Sequence, residues 1–148
     1  MNLKLKIAGI FAGLAGIVAL TSAISTENVP LEVGNQAPEI ATFNAYGNMV
    51  RLSDMKGEDV LVNFWSIKDA ESRIANIRLA REAESNGVKY MGICVDSDRE
   101  LAQEVIKADQ LPVEDQYFAN DEIKDQYLVD HGTRTVKIDP YGIVAKID

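Results

Sequence analysis

One cysteine, Cys94, is all the sulfhydryl chemistry that 148 residues provide. With no second thiol, no disulfide can close within the chain. A hydrophobic core must hold the fold, and a domain of this length can bury one. Histidine is equally scarce. His131 is the only one, it sits in a loop, and one imidazole supplies only one metal ligand. Asp96 and Asp98 could add oxygens, but acids placed there more simply cap the helix that follows. No metal and no cofactor is expected. An excess of positive charge is missing too: 23 acidic residues face 15 basic ones, for a formal net charge of −8. That excludes nucleic acid as a partner and a polybasic membrane patch. The acidity is spread along the chain and reads as a soluble acidic surface. Repeats and low-complexity segments are absent, and the length suits one domain.

A long apolar run is also lacking. Ile7–Leu20 is uncharged, but at about 14 residues it is short for a membrane span. Lys4 and Lys6 precede it and Thr21-Ser22-Ala23 follows. This charged, apolar, small order is that of a secretory signal peptide over residues 1–23, cut after Ala23. Counted on to Thr26 the uncharged stretch reaches about 20 residues, so an uncleaved anchor facing outward is the alternative. No cysteine follows the run to carry a lipid. Residues 24–33 form a polar lead-in to a domain over 34–148. The expected address is the periplasm or the outer side of the envelope.

What is present is a run of short, well-punctuated elements. Ile40–Asn44 and Met49–Leu52 read as strands joined by the turn Ala45-Tyr46-Gly47-Asn48. Ser53 to Gly57 reads as one helical turn. Val60–Trp65 is apolar on both faces, which places it mid-sheet with both faces covered. Asp69–Asn86 is the longest helix, with Ala70, Ile74, Ile77 and Ala80 or Arg81 on its inner face. Val88–Val95 follows as a strand, and a crossover of this length makes it parallel to the first. A second helix runs from Arg99 to about Ala108, with Leu101, Val105 and Ile106 inward. A third, capped by Asn120, spans Asp121–Val129. Thr133–Ile138 and Ile143–Ile147 flank Asp139-Pro140-Tyr141-Gly142, a tight-turn signature, and so form an antiparallel hairpin.

Four phrases stand in register: Gly34-Asn35-Gln36-Ala37-Pro38, Arg51-Leu52-Ser53-Asp54-Met55-Lys56-Gly57, Val60-Leu61-Val62-Asn63-Phe64-Trp65, and the segment from Val129 to Val144. With that element order they resemble the thioredoxin fold, and more closely the envelope thiol-disulfide oxidoreductases of the TlpA/ResA type and their redoxin relatives. The resemblance implies an α/β fold: a mixed sheet flanked by helices, with an N-terminal β-hairpin. Members continue into a final helix over one sheet face. This sequence shows no such helix after its last hairpin, and an uncovered apolar face would then be open to a docking partner.

The departures from that family matter most. Members run from Phe-Trp through three residues to Cys-x-x-Cys and Arg. Here Ser66-Ile67-Lys68 are the three, and Asp69-Ala70-Glu71-Ser72 replaces the motif ahead of Arg73. Asp69 stands at the attacking thiol's place and Ser72 at the resolving thiol's. Thr133 occupies the place of the family's cis-proline. Disulfide exchange needs a thiolate to attack and a second thiol to release the mixed disulfide, and a redoxin peroxidase needs a cysteine at the same helix start. An aspartate there suits the helix dipole but cannot exchange sulfur. Asp69 as general base with Ser72 as nucleophile would lack the third, orienting group. Cys94, in an apolar strand, reads as a small buried hydrophobe; as a reactive thiol it could pair with another chain.

The resulting expectation is a redox-inactive envelope protein that binds a polypeptide or another envelope protein through a groove of Trp65, Ser66, Lys68, Asp69 and Thr133. The alternatives are exchange relying on Cys94 or an external thiol, and a subunit that docks through the uncovered sheet face.

Overall fold

The computed structural model describes residues 29–129 and 133–148. The signal or anchor over 1–23, half of the lead-in and His131 lie outside the described residues.

Five strands form one mixed sheet. Its centre is β3 (Val60–Trp65), buried along its whole length. β4 (Lys89–Cys94) lies parallel to β3 in the register Val60 to Lys89 through Trp65 to Cys94. On the far side of β4 comes β5 (Gln116–Phe118), again parallel. β6 (Arg134–Ile138) flanks β3 in antiparallel sense, and β7 (Val144–Ile147) pairs with β6 as the expected terminal hairpin. The spatial order is β5-β4-β3-β6-β7. A separate hairpin, β1 (Ala41–Phe43) with β2 (Met49–Arg51), hangs from the β5 edge. The Ala45 N–H donates to the Gln116 carbonyl at 2.8 Å, and the Thr42 hydroxyl donates to the Phe118 carbonyl.

Strand alternation sorts the core into two layers. Val60, Val62, Phe64, Met91, Ile93, Val136 and Ile138 face one way, under the N-terminal segment and α3 (Asp121–Gln126). Tyr127 seals this side: its ring lies 5.3 Å from that of Phe64, and its buried hydroxyl donates to the Pro38 carbonyl at 2.6 Å. Leu61, Trp65, Tyr90, Cys94 and Phe118 face the other way, under α1 (Ala70–Asn86) and α2 (Arg99–Ala108). Burying each large apolar side chain contributes roughly 1.5–3 kcal/mol.

Two helices turn other faces inward than periodicity suggests. α1 buries Ser72, Asn76, Ala80 and Ala83, while Ile74 is 66% exposed. The physical reason is a polar network between helix and sheet. The Tyr90 hydroxyl donates to Asn76 Oδ1, Asn76 Nδ2 donates to Gln116 Oε1 at 3.1 Å, and Asn63 Nδ2 donates to the Tyr90 oxygen at 3.2 Å. Thr135 joins by donating to Asn63 Oδ1 at 3.1 Å. The paired Asn63 and Asn76 amides are buried at little cost, Gln116 Nε2 alone in the network has no partner among the described residues, and the two alanines let the helix approach closely. Gly92 lies beneath: a Cβ there would come within 2.6 Å of Gln116 Oε1 and 2.7 Å of Asn76 Oδ1. α1 stops at Gly87, left-handed at φ 66°, whose N–H caps the last carbonyls. In α2 the inward residues are Ala102, Val105 and Ile106, and Leu101 is turned outward. α3 ends at Gln126, earlier than expected, because Leu128 takes a positive φ of 54°.

The sheet face beyond α1 is also corrected. Val136 and Ile138 point to the opposite layer, so β6 and β7 present half-buried Thr135 with exposed Lys137 and Lys146. This face is polar, not apolar. Strand alternation puts the lysines there.

Candidate functional site

The elbow between β3 and α1 is built from its backbone outward. A helix start leaves N–H groups unpaired, and they attract negative charge. Asp69 supplies it from within, as the N-cap residue. Its Oδ1 accepts from the Glu71 N–H at 3.0 Å and the Ser72 N–H at 3.4 Å. Such a cap contributes about 0.5–2 kcal/mol.

Ser72 is buried one turn further in. Its Oγ accepts from the Ser66 N–H at 3.0 Å, and its single proton is shared between the carbonyls of Ser66 at 3.1 Å and Asp69 at 3.0 Å. The hydroxyl thus staples the elbow to the helix. It points its proton at carbonyl oxygens and not at the Asp69 carboxylate, so the base–nucleophile pairing of Asp69 with Ser72 does not form.

The residue that organises the elbow from the other side is Asp96. Parallel pairing brings the C-terminal ends of β3 and β4 together, and Asp96 lies just past the end of β4. Its Oδ2 accepts from the Ile67 N–H at 2.7 Å, and its Oδ1 accepts from the Ser66 hydroxyl at 3.2 Å. The Cys94 thiol donates to the same Oδ2 at 3.5 Å. Capping of α2 falls instead to Asp98, which accepts from the Leu101 N–H at 3.0 Å. The sequence singles out Asp96 only as a cap or a ligand. Its signal was position: an acid two residues beyond an inward strand residue, on the strand next to the elbow.

Cys94 is fully buried. Burial chiefly, with the Asp96 carboxylate adding to it, pushes its thiol up to about 12. At pH 7 the thiolate, the reactive form, is therefore scarcely populated. The thiol acts as a small core hydrophobe with one weak bond to Asp96.

Of the proposed groove residues, Ser66 and Asp69 are half-exposed and Lys68 is exposed. Thr133 is exposed one step beyond the last β3–β6 pair, Phe64 with Arg134, and so shares the elbow's end of the sheet. Trp65 does not line this surface. It is fully buried under α1 and α2, with no hydrogen-bond partner for Nε1 among the described residues. Its side chain alternates to the helix-covered face, which takes it off the groove wall. Arg73 fixes the helix start at a distance: its guanidinium makes a two-bonded pair with Asp109, at 3.2 and 2.7 Å, tying α1 to the end of α2. Among the described residues no three potential ligand side chains cluster to hold a metal ion.

At this helix start Asp69, through Oδ1, and Ser72, through Oγ, are both engaged in hydrogen bonds to the elbow's own backbone. Residues 33–147 match the model of the AhpC/TSA family. A Haemophilus influenzae protein named as a peroxiredoxin, bcp, is 33% identical over 82 residues, a match covering 53% of each chain. The thiol-disulfide oxidoreductase ResA of Oceanobacillus iheyensis is 24% identical over 140 residues, covering 90% of this chain and 73% of the relative. Among solved structures, the thioredoxin domain of a thiol-disulfide oxidoreductase from Bacteroides vulgatus superimposes with a TM-score of 0.71 at 24% identity, covering 80% of this chain and 89% of that one. Strand order, elbow and sequence match agree: this chain is a thioredoxin-fold member of the AhpC/TSA family, related to the thiol-disulfide oxidoreductases.

Proposed function

We propose that this protein is a redox-inactive relative of the thiol-disulfide oxidoreductases, exported to the cell envelope, where it binds a polypeptide. One observation carries the reading. At the helix start where its relatives' chemistry requires sulfur, Asp69 and Ser72 are each committed to hydrogen bonds that stabilise the elbow. The accessible part of that end of the sheet, Ser66, Lys68, Asp69 and Thr133, is the surface offered to a partner. Exchange through Cys94 is disfavoured by its burial and raised pKa. Subunit docking through an apolar sheet face is disfavoured by the lysines found there. The reading is tested by insulin-disulfide reduction with the full-length protein and dithiothreitol. The expected rate equals that of dithiothreitol alone. A clear acceleration that Cys94→Ser abolishes would replace this reading with the Cys94 one.

A further inference from the structure

A cavity of about 340 Å³ opens at the opposite end of the molecule from the elbow. It lies against Val60, the first residue of β3, and Ile138, the last of β6. Five residue steps at about 3.3 Å separate Val60 from Trp65, so the two ends are about 16 Å apart. The floor is apolar, formed by Leu52, Met55, Val60, Ile123 and Ile138. A shallow extension continues past Val29 along α3, where Val29 is 40% and Leu128 59% exposed.

The rim has one sign. Glu39, Glu122 and Asp139 border the cavity and Glu32 and Asp125 the extension, against a single lysine, Lys56. None of these five carboxylates forms an ion pair among the described residues. Glu39 and Asp139 each spend one oxygen on backbone N–H groups, Glu39 on Ile40 and Ser53, Asp139 on Tyr141 and Ile143. Their second oxygens make no hydrogen bond among the described residues.

From this charge complementarity we infer that the cleft is a binding site for an extended polypeptide segment in which apolar side chains alternate with lysine or arginine. Apolar side chains would enter the floor and the cations would meet the rim. A small ligand fits less well, because such sites enclose most of their ligand, whereas this cleft runs open from the Gly142 turn to Leu128. The site is independent of the elbow surface.

The test uses full-length protein and fluorescence anisotropy with three probes: a leucine–lysine alternating peptide, its leucine–glutamate counterpart, and dodecylamine as a small cationic amphiphile. The lysine peptide is expected to bind and the glutamate peptide not to. Glu122→Lys with Asp125→Lys, two exposed sites whose change leaves the core intact, should weaken binding about tenfold or more. Glu100→Lys with Glu104→Lys, the same charge change at exposed sites on α2 away from both surfaces, should leave it unchanged. Equal binding of both peptides, indifference to the double substitution, no binding, or dodecylamine competing away the peptide as effectively as unlabelled peptide would overturn the inference. An equal loss of binding with Glu100→Lys and Glu104→Lys would also overturn it while leaving the proposed function standing.

Discussion

Removal of the Asp96 carboxylate should loosen the elbow more than any other single change at an exposed or half-exposed position near it. Asp96 accepts from the Ile67 N–H at 2.7 Å and the Ser66 hydroxyl at 3.2 Å. Bonds to a charged acceptor contribute about 1.5–3 kcal/mol each. Both donors are half-buried, so water partly replaces the lost partner and each bond contributes about 1–1.5 kcal/mol, at or just below the bottom of that range. Asp96→Ala should therefore cost about 2–3 kcal/mol. Asp96→Asn keeps one acceptor oxygen and should cost about 1 kcal/mol, roughly one hydrogen bond. The assay is urea unfolding followed through Trp65, the only tryptophan, fully buried beside the elbow. With a slope of about 1–3 kcal/mol per molar urea, Asp96→Ala should lower the midpoint by about 1–3 M without changing the slope. Amide exchange of Ile67 should lose its protection in parallel. A cost below about 0.5 kcal/mol, the range of an ordinary surface change, would refute the view that Asp96 clamps the elbow. So would equal costs for the two variants.

Three further outcomes follow from other parts of the structure. Gly92→Ala should destabilise by about 2 kcal/mol or more, because its Cβ would displace Gln116 and Asn76 and leave buried amides unpaired; thermal unfolding checks it. Cys94 should resist iodoacetamide in the folded protein and react after denaturation. Its thiol is raised from 9.0 to about 12 on folding, so the unfolded chain ionises first, and stability is whole below pH 9 and falls as pH rises from about 9 towards about 12. Urea midpoints across that range should decline, less so for Cys94→Ala once its lower starting stability is subtracted. Asp69→Cys with Ser72→Cys should restore some insulin reduction, more so with Thr133→Pro. A folded but inactive triple variant would show that these positions do not correspond to the family's site.

Much of the fold was legible because its signals are local. Asp139-Pro140-Tyr141-Gly142 announces the last hairpin, and an apolar run as uniform as Val60–Trp65 fits only a covered central strand. The inner face of α1 was not legible. Ser72 and Asn76 look solvent-facing to any hydrophobic periodicity; Asn76 is buried with partners on β4 and β5, and Ser72 with partners in the elbow itself. Trp65 reads from sequence as a core residue, and by resemblance as a groove residue; pleating of β3 puts its side chain in the core. The helix start at Asp69 was readable from order alone. The role of Asp96 was not, because it depends on two parallel strands ending at the same level, a fact of the sheet and not of any segment.

The most direct measurement is intact-mass spectrometry of the full-length protein after rapid acid quenching of a reaction with a disulfide-bonded client. The expected spectrum holds the unmodified protein at every time point. A mixed-disulfide adduct that forms and is released at the rate of client turnover would contradict the claim that this elbow has left sulfur chemistry behind.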